Sequence, residues 1–128
     1  MPQANLNISQ STIPTDKDGI VIINALGDVP GGRTLDVSGV ASGTEVLNAG
    51  HIIIKVTATG VHKPLGVTAG AYDSLDSGEE YVGVLKASIP VDDPRAAIVT
   101  IGQINAAASP YPVTSTIKAG LPRIEFLY

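Results

Sequence analysis

The densest group of possible metal ligands in the chain is an acidic run at residues 73–80. It reads Asp-Ser-Leu-Asp-Ser-Gly-Glu-Glu and contains four carboxylates. Ca²⁺ binds such oxygens when a tight loop brings them together. The EF-hand spacing would place a second ligand two residues after Asp73, but Leu75 stands there. We therefore expect a solvated acidic loop at this point and no metal site.

Histidine and cysteine offer little further chemistry. The chain has two histidines, His51 and His62, and no cysteine, which excludes disulfides, thiolate zinc sites and cysteine nucleophiles. A zinc ion would need ligands beyond the two imidazoles. We expect His51 on the outward face of a strand and His62 beside Lys63 and Pro64, both as surface or packing residues.

Two other patterns are incomplete versions of active-site motifs. Ser115 and Lys118 have the Ser-x-x-Lys spacing of serine acyl enzymes, but the partner motifs of those enzymes are missing. The Gly-Gly-Arg-Thr segment at residues 31–34 lacks both the Walker and the dinucleotide-binding spacing. We expect neither catalysis nor a bound cofactor, so the sequence does not indicate an enzyme.

Aromatic residues are scarce, with four tyrosines and one phenylalanine. Binding pockets are commonly lined by aromatic side chains, and sugar recognition in particular would need exposed rings. Tyr81 and Phe126 fall in predicted strands, which leaves Tyr72, Tyr111 and Tyr128 as surface candidates. A dedicated sugar-binding site is therefore not the favoured interpretation.

The charge balance points away from nucleic acid and anionic membranes. Eight basic and twelve acidic residues give a net charge of −4, and an acidic surface repels phosphate. Charged residues make up only 16% of the chain and apolar residues 44%, against a usual charged share of about a quarter. This composition indicates that some apolar surface meets a partner. We expect no signal peptide and no membrane span, and synthesis in a cytosol.

Glycine and proline separate short segments rich in valine, isoleucine and threonine, a pattern typical of a mainly β domain. In the clearest segment, Ile52, Ile54 and Val56 share one face and Ile53 lies on the other. The predicted strands are residues 20–25, 34–40, 51–57, 81–85, 96–101 and 123–128, with a strand end or helical turn at 104–108. Turns are expected at residues 27–32, 42–43, 48–50 and 92–94.

One short helix is predicted near the C-terminus. Thr114 has the residue type of an N-cap, and Gly120 is expected to end the helix in the left-handed conformation. The more polar residues 1–19 are assigned to an N-terminal arm and residues 20–128 to a single β-rich domain. The arm has two interpretations: a frayed terminus, or a segment that becomes ordered on a partner by adding a strand.

Several segments in order resemble the head decoration proteins of tailed bacteriophages, the lambda-like capsid-stabilising family. The resemblance covers about residues 34–128, and residues 19–33 resemble an insertion. Its most specific part is the ending, in which a strand, Gly-x-Ile-Asn-Ala-Ala, a short helix and a terminal strand follow one another. The segments that carry it are residues 46–53, 55–60, 81–85, 102–107 and 117–127.

This resemblance implies a small β-rich, tulip- or barrel-like fold that assembles as a homotrimer on the outer surface of the virion. The trimers would bind the major capsid protein at three-fold and local three-fold positions and stabilise the head, without touching nucleic acid or membrane. The arm would contact the capsid, and we assign the contact to Ser11, Thr12, Ile13, Pro14 and Thr15.

One alternative stays open from the sequence. The chain could be the base of a head fibre or a module that binds a receptor or glycan on a surface. In that case Tyr72 and Tyr111 would be the candidate contact residues.

Overall fold

The computed structural model describes residues 18–128. They form a small, mainly β single domain with two short helices, which confirms the predicted class. The helices are α1 (Asp18–Val21) and α2 (Ser115–Gly120), with a 3₁₀ turn at Ala106–Ala108. The strands are β1 (Ile22–Asp28), β2 (Arg33–Thr34), β3 (Val46–Leu47), β4 (Ile52–Val56), β5 (His62–Pro64), β6 (Val67–Thr68), β7 (Ala71–Tyr72), β8 (Glu79–Leu85), β9 (Ile89–Pro90), β10 (Arg95–Ala96), β11 (Ile98–Asn105) and β12 (Ile124–Leu127).

The main sheet has six strands, and its path is β1-β11-β8-β4-β5. Strand β11 is long enough to pair with three others. It is antiparallel to β1 along one side. On the other side it is antiparallel to β8 at its start and parallel to β12 at its end. Three two-stranded ribbons, β2 with β10, β3 with β9 and β6 with β7, complete the domain.

Strand β4 lies inside the sheet and is buried on both faces. Ile52 and Ile54 pack into a cluster with Val84, Ile104 and other buried residues. Ile53 packs on the opposite side with a second cluster that includes Leu85. The predicted separation of Ile52 and Ile54 from Ile53 is confirmed. The face that carries Ile53 is a second core, because the chain covers both faces of this strand.

The region before residue 41 departs from the predicted strands. The first strand was expected at residues 20–25, but it starts at Ile22 because α1 takes up the preceding residues, and it extends to Asp28 by pairing with β11. The predicted boundary between residues 19 and 20 thus lies within α1.

The strand predicted at residues 34–40 is wrong beyond Thr34. The Asp36 Oδ1 accepts a hydrogen bond from the Ser38 N–H at 3.0 Å, and the Val40 N–H donates to the Val37 oxygen at 3.0 Å. An aspartate side chain that bonds the backbone two residues ahead favours a turn over a strand.

The C-terminal helix confirms one prediction and corrects another. Thr114 is the N-cap of α2, and its hydroxyl oxygen accepts from the Ile117 N–H at 3.3 Å. Gly120 is not a left-handed stop: it is the last residue of the helix, and the C-cap is Leu121, whose φ is −124°. Glycine is needed at position 120 for space, because a Cβ there would overlap the ring of Tyr81.

Candidate functional site

The five arm residues predicted to touch the capsid lie outside the described residues. They are Ser11, Thr12, Ile13, Pro14 and Thr15. The described chain begins at Asp18 with α1 and β1, so these two elements are the nearest described ones in sequence to the predicted arm.

Strand β1 is the terminal strand of the main sheet. Among the described residues it pairs with β11 alone, from Ile22 opposite Ile104 to Asp28 opposite Val99. Its outer side is therefore an edge, and exposed edges are places where another chain can add. The register shifts three times along the pairing. Because such irregularities interrupt a regular ladder, contacts to a partner depend on side chains as well as on backbone hydrogen bonds.

Apolar side chains are exposed along this edge. Ile20, in α1 just before the strand, is 53% exposed, and Ile23 and Leu26, in β1, are 43% and 68% exposed. We call these three residues the β1 apolar edge. Scattered exposed apolar residues are ordinary, whereas several close together in sequence, in an edge strand and the turn of helix that leads into it, mark an interaction surface. Burying their exposed area against a partner would contribute on the order of a few kcal/mol.

One ion pair lies at the end of this edge. The Lys86 ammonium is 3.0 Å from the Asp28 carboxylate, and both side chains are largely exposed. Exposed pairs of this kind contribute little to stability, about 0–1 kcal/mol. The charges keep that end of β1 polar, so the apolar contact area ends near Asp28.

The opposite end of the sheet is covered. The chain after β2 lies along β5, and the Asp36 N–H donates to the His62 oxygen at 2.8 Å. Pro64, also in β5, has no N–H to offer a further strand. Of the two ends of the main sheet, β1 is thus the more open to a partner.

A cleft of about 590 Å³ lies beside β4 and β5. This volume is in the range of ligand-binding sites. Its lining includes Asp36, Val40 and Leu47 from residues 36–48. Lys63 and Tyr111, from later parts of the chain, also line it.

An ion pair lies in this cleft. The Lys63 ammonium is 2.6 Å from the Glu79 carboxylate, whose side chain is only 9% exposed. The hydrogen bond to Glu79, and then the charges of Glu79, Asp76 and Asp36, raise the pKa of Lys63. The same hydrogen bond lowers the pKa of Glu79. Both groups therefore stay charged at neutral pH.

His51 borders the cleft and is buried, with 6% exposure. The expected outward position of His51 is wrong: the residue directly precedes β4 and is a buried packing residue. Its Nε2 lies 2.9 Å from the Leu65 oxygen, and its ring meets Tyr72 and Tyr111 edge-on at centroid distances of 5.3 and 5.8 Å. Burial lowers the pKa of His51, and the hydrogen bond to Leu65 opposes this. The imidazole is neutral at pH 7 and donates through Nε2.

Of the three tyrosines expected at the surface, Tyr128 is 88% exposed, whereas Tyr72 and Tyr111 are packed against His51. Tyr72 is partly buried, and its hydroxyl oxygen accepts from the Ile52 N–H at 3.4 Å. Burial raises the pKa of Tyr72. Tyr111 also contacts Tyr72, at 5.4 Å between ring centroids, but it lines the cleft and remains available to a ligand.

The acidic run is divided between different neighbours. Glu79 pairs with Lys63, Glu80 pairs with Lys55 at 2.9 Å, and Asp73 lies against Gly66. Within residues 18–128, no three acidic or histidine side chains are grouped in a way that could hold a metal ion. No helix in this part of the chain is long and apolar enough to cross a membrane.

No pattern in the sequence indicates the cleft. It is formed by Asp36, Lys63 and the acidic run, which are far apart in the chain and come together only through the pairing of β4 with β5 and β8. The exposed part of β1 was missed for a similar reason: residues 20–25 were identified as apolar, but nothing in them specifies an edge position.

Comparison of this chain with family models, with curated proteins and with solved structures gave no match.

Proposed function

We propose that this chain is a virion structural protein that decorates and stabilises the head of a tailed bacteriophage. It binds as a homotrimer to the outer surface of the capsid at three-fold and local three-fold positions. The partner is the major capsid protein, and residues 11–15 of the arm contribute to the contact. The domain is the tulip- or barrel-like body that carries this arm.

The observation that supports this proposal most directly is the β1 apolar edge. Ile20 in α1 and Ile23 and Leu26 in β1 expose apolar area, and these two elements follow the arm in the chain. Arm and edge can therefore act as one continuous contact. An extended segment that joins an open sheet edge is a common mode of recognition.

Because the protein binds as a trimer, each single contact with the capsid can be weak. Three copies of the edge and the arm on one trimer reach the capsid together, so the second and third contacts form at high effective concentration. A closed ring of three subunits needs two complementary patches on each subunit. The proposal therefore predicts a solution mass near three times 13.1 kDa once the trimer has formed.

The test is co-sedimentation with heads of the source virus that lack this protein. The full chain should bind saturably and make the heads more resistant to heat. A chain without residues 1–17, which leaves α1 complete, should keep its thermal melting transition and lose most of this binding.

A matched pair of substitutions in the full chain tests the contact made by Ile13 without removing the arm. Ile13→Asp should weaken binding strongly, whereas Asn5→Asp, which adds the same charge earlier in the arm, should not. Saturable binding that is unchanged by the deletion would contradict the role of the arm. Absence of binding by the full chain would contradict the decoration role and favour the fibre-base or surface-binding alternative.

A further inference from the structure

The cleft beside β5 contains more negative than positive charge. Four carboxylates line it, and Lys63 is the one lysine or arginine among the lining residues described. Glu79 is occupied by Lys63 at 2.6 Å. The other three carboxylates, Asp36, Asp73 and Asp76, have no basic partner within salt-bridge distance among residues 18–128.

Two of these carboxylates, Asp36 and Asp76, act on Lys63 together with Glu79. Glu79, Asp76 and Asp36 all raise the pKa of Lys63 through their charges, so their fields overlap at its ammonium group. Lys63 neutralises one charge, which leaves a formal excess of three negative charges around the cleft. A second cation that enters the cleft meets an attractive potential, which low-dielectric walls concentrate.

The walls suit a ligand that is also apolar. Val40, Leu47, Pro110 and Tyr111 are among the lining residues of the cleft. A small inorganic cation would make no use of these side chains. An alkyl stem would pack against them, and a planar guanidinium can also lie against the face of a tyrosine ring.

We propose that this cleft binds an arginine side chain presented by another protein. The guanidinium lies near Asp36 and Asp76, and the stem lies against the apolar lining residues and Tyr111. Arginine fits better than lysine because its five N–H groups can serve two carboxylates at once. This site is separate from the β1 apolar edge and does not depend on capsid binding.

The test is a titration of the isotope-labelled full-length protein, followed by amide chemical shifts. The probe is the capped tripeptide acetyl-Ala-Arg-Ala-amide, and its citrulline counterpart serves as the neutral control. The arginine peptide should saturate with millimolar affinity and shift the amides of residues 36–48 and 63–79. The citrulline peptide should bind at least about fivefold more weakly, a difference near 1 kcal/mol.

Two variants, each with a substitution at an exposed position, test whether the peptide binds in the cleft. Asp76→Asn should lower the affinity for the arginine peptide about three- to tenfold, because it removes one charge facing the cleft. Asp92→Asn, an equal change outside the cleft, should leave the affinity unchanged. Since both positions are exposed, both variants should fold.

Three outcomes would overturn the proposal. These are equal binding of the citrulline and arginine peptides, equal effects of the two variants, and shifts that spread over the surface without saturation. A third titration uses putrescine, a free diamine that lacks the guanidinium. Tighter binding of putrescine than of the arginine peptide would indicate that the ligand is a free amine and not a protein side chain.

Discussion

Strands β1 and β4 have similar sequences and opposite surroundings. Strand β4 begins Ile-Ile-Ile, and its three isoleucines are at most 1% exposed. Strand β1 begins Ile-Ile, and Ile23 and Leu26 in it are 43% and 68% exposed. The difference comes from position: β4 has β5 on one side and β8 on the other, whereas β1 pairs only with β11 among the described residues.

This comparison shows that an apolar run can have two different purposes in one small domain. In β4 it stabilises the fold, because both faces lose contact with water. In β1 much of the apolar area stays exposed, and that area is available for a partner. Substitutions in β4 should therefore change stability, and substitutions in β1 should change association.

The largest expected effect comes from placing a charge in β4. Ile54→Asp buries a carboxylate without a partner and should cost several kcal/mol, enough to prevent folding. Ile23→Asp makes the same change in β1 and should alter the free energy of unfolding by about 0.5 kcal/mol or less. Circular dichroism with thermal melting checks both variants. Equal loss of stability in the two would remove the distinction between the strands.

A smaller effect is expected where the core meets α2. A Cβ at Gly120 would overlap the Tyr81 ring, so Gly120→Ala should destabilise the domain by about 1–3 kcal/mol despite the better helix propensity of alanine. Urea denaturation measures this change. Ala119→Gly, next to it in α2, is a control that should lose about 1 kcal/mol or less through propensity alone. A stabilised Gly120→Ala variant would show that the ring moves aside.

The next effect is a pH dependence at the start of β4. Burial lowers the pKa of His51 in the folded state, so the unfolded chain binds a proton more readily. The stability that neutral, buried His51 contributes is present above pH 6.5. It is lost as the pH falls below the pKa of the unfolded chain, by up to about 1.4 kcal/mol per pH unit.

Unfolding of the wild type and His51→Gln between pH 7 and 5 tests this dependence. The wild type should lose stability toward pH 5, and His51→Gln should lose less. His62→Gln should keep most of the wild-type slope, because His62 is partly exposed. Identical slopes in the wild type and His51→Gln would contradict the account of His51.

The smallest effect is expected at the polar end of β1. Lys86→Ala removes the exposed pair with Asp28 and should change the free energy of unfolding by less than about 1 kcal/mol, and less still at high salt. Chemical denaturation at low and high salt measures it. A loss of several kcal/mol would mean that the end of β1 belongs to the core.

Local chemistry accounts for the features that the sequence predicted correctly. The alternation at Ile52, Ile53 and Ile54, the N-cap Thr114 and the terminal strand all depend on neighbouring residues, and all three are present. The mainly β class follows from the same patterns.

Features that depend on distant pairing could not be predicted. The burial of His51 requires Tyr72 and Tyr111, which come from later parts of the chain. The left-handed stop expected at Gly120 was wrong. Glycine is needed there because the Tyr81 ring, 39 positions earlier in the sequence, leaves no room for a Cβ. The acidic cleft also arises only when β4, β5 and β8 pair.

The central claim, that the exposed apolar residues of β1 are a binding surface, is tested most directly by head binding of Leu26→Asp. Val61→Asp is the matched control, because Val61 is also exposed, at 40%, but lies in the turn between β4 and β5. Both variants should melt like the wild type. The account predicts that Leu26→Asp loses most of its affinity for stripped heads while Val61→Asp binds normally. Normal binding by Leu26→Asp, with the wild type binding saturably, would contradict it.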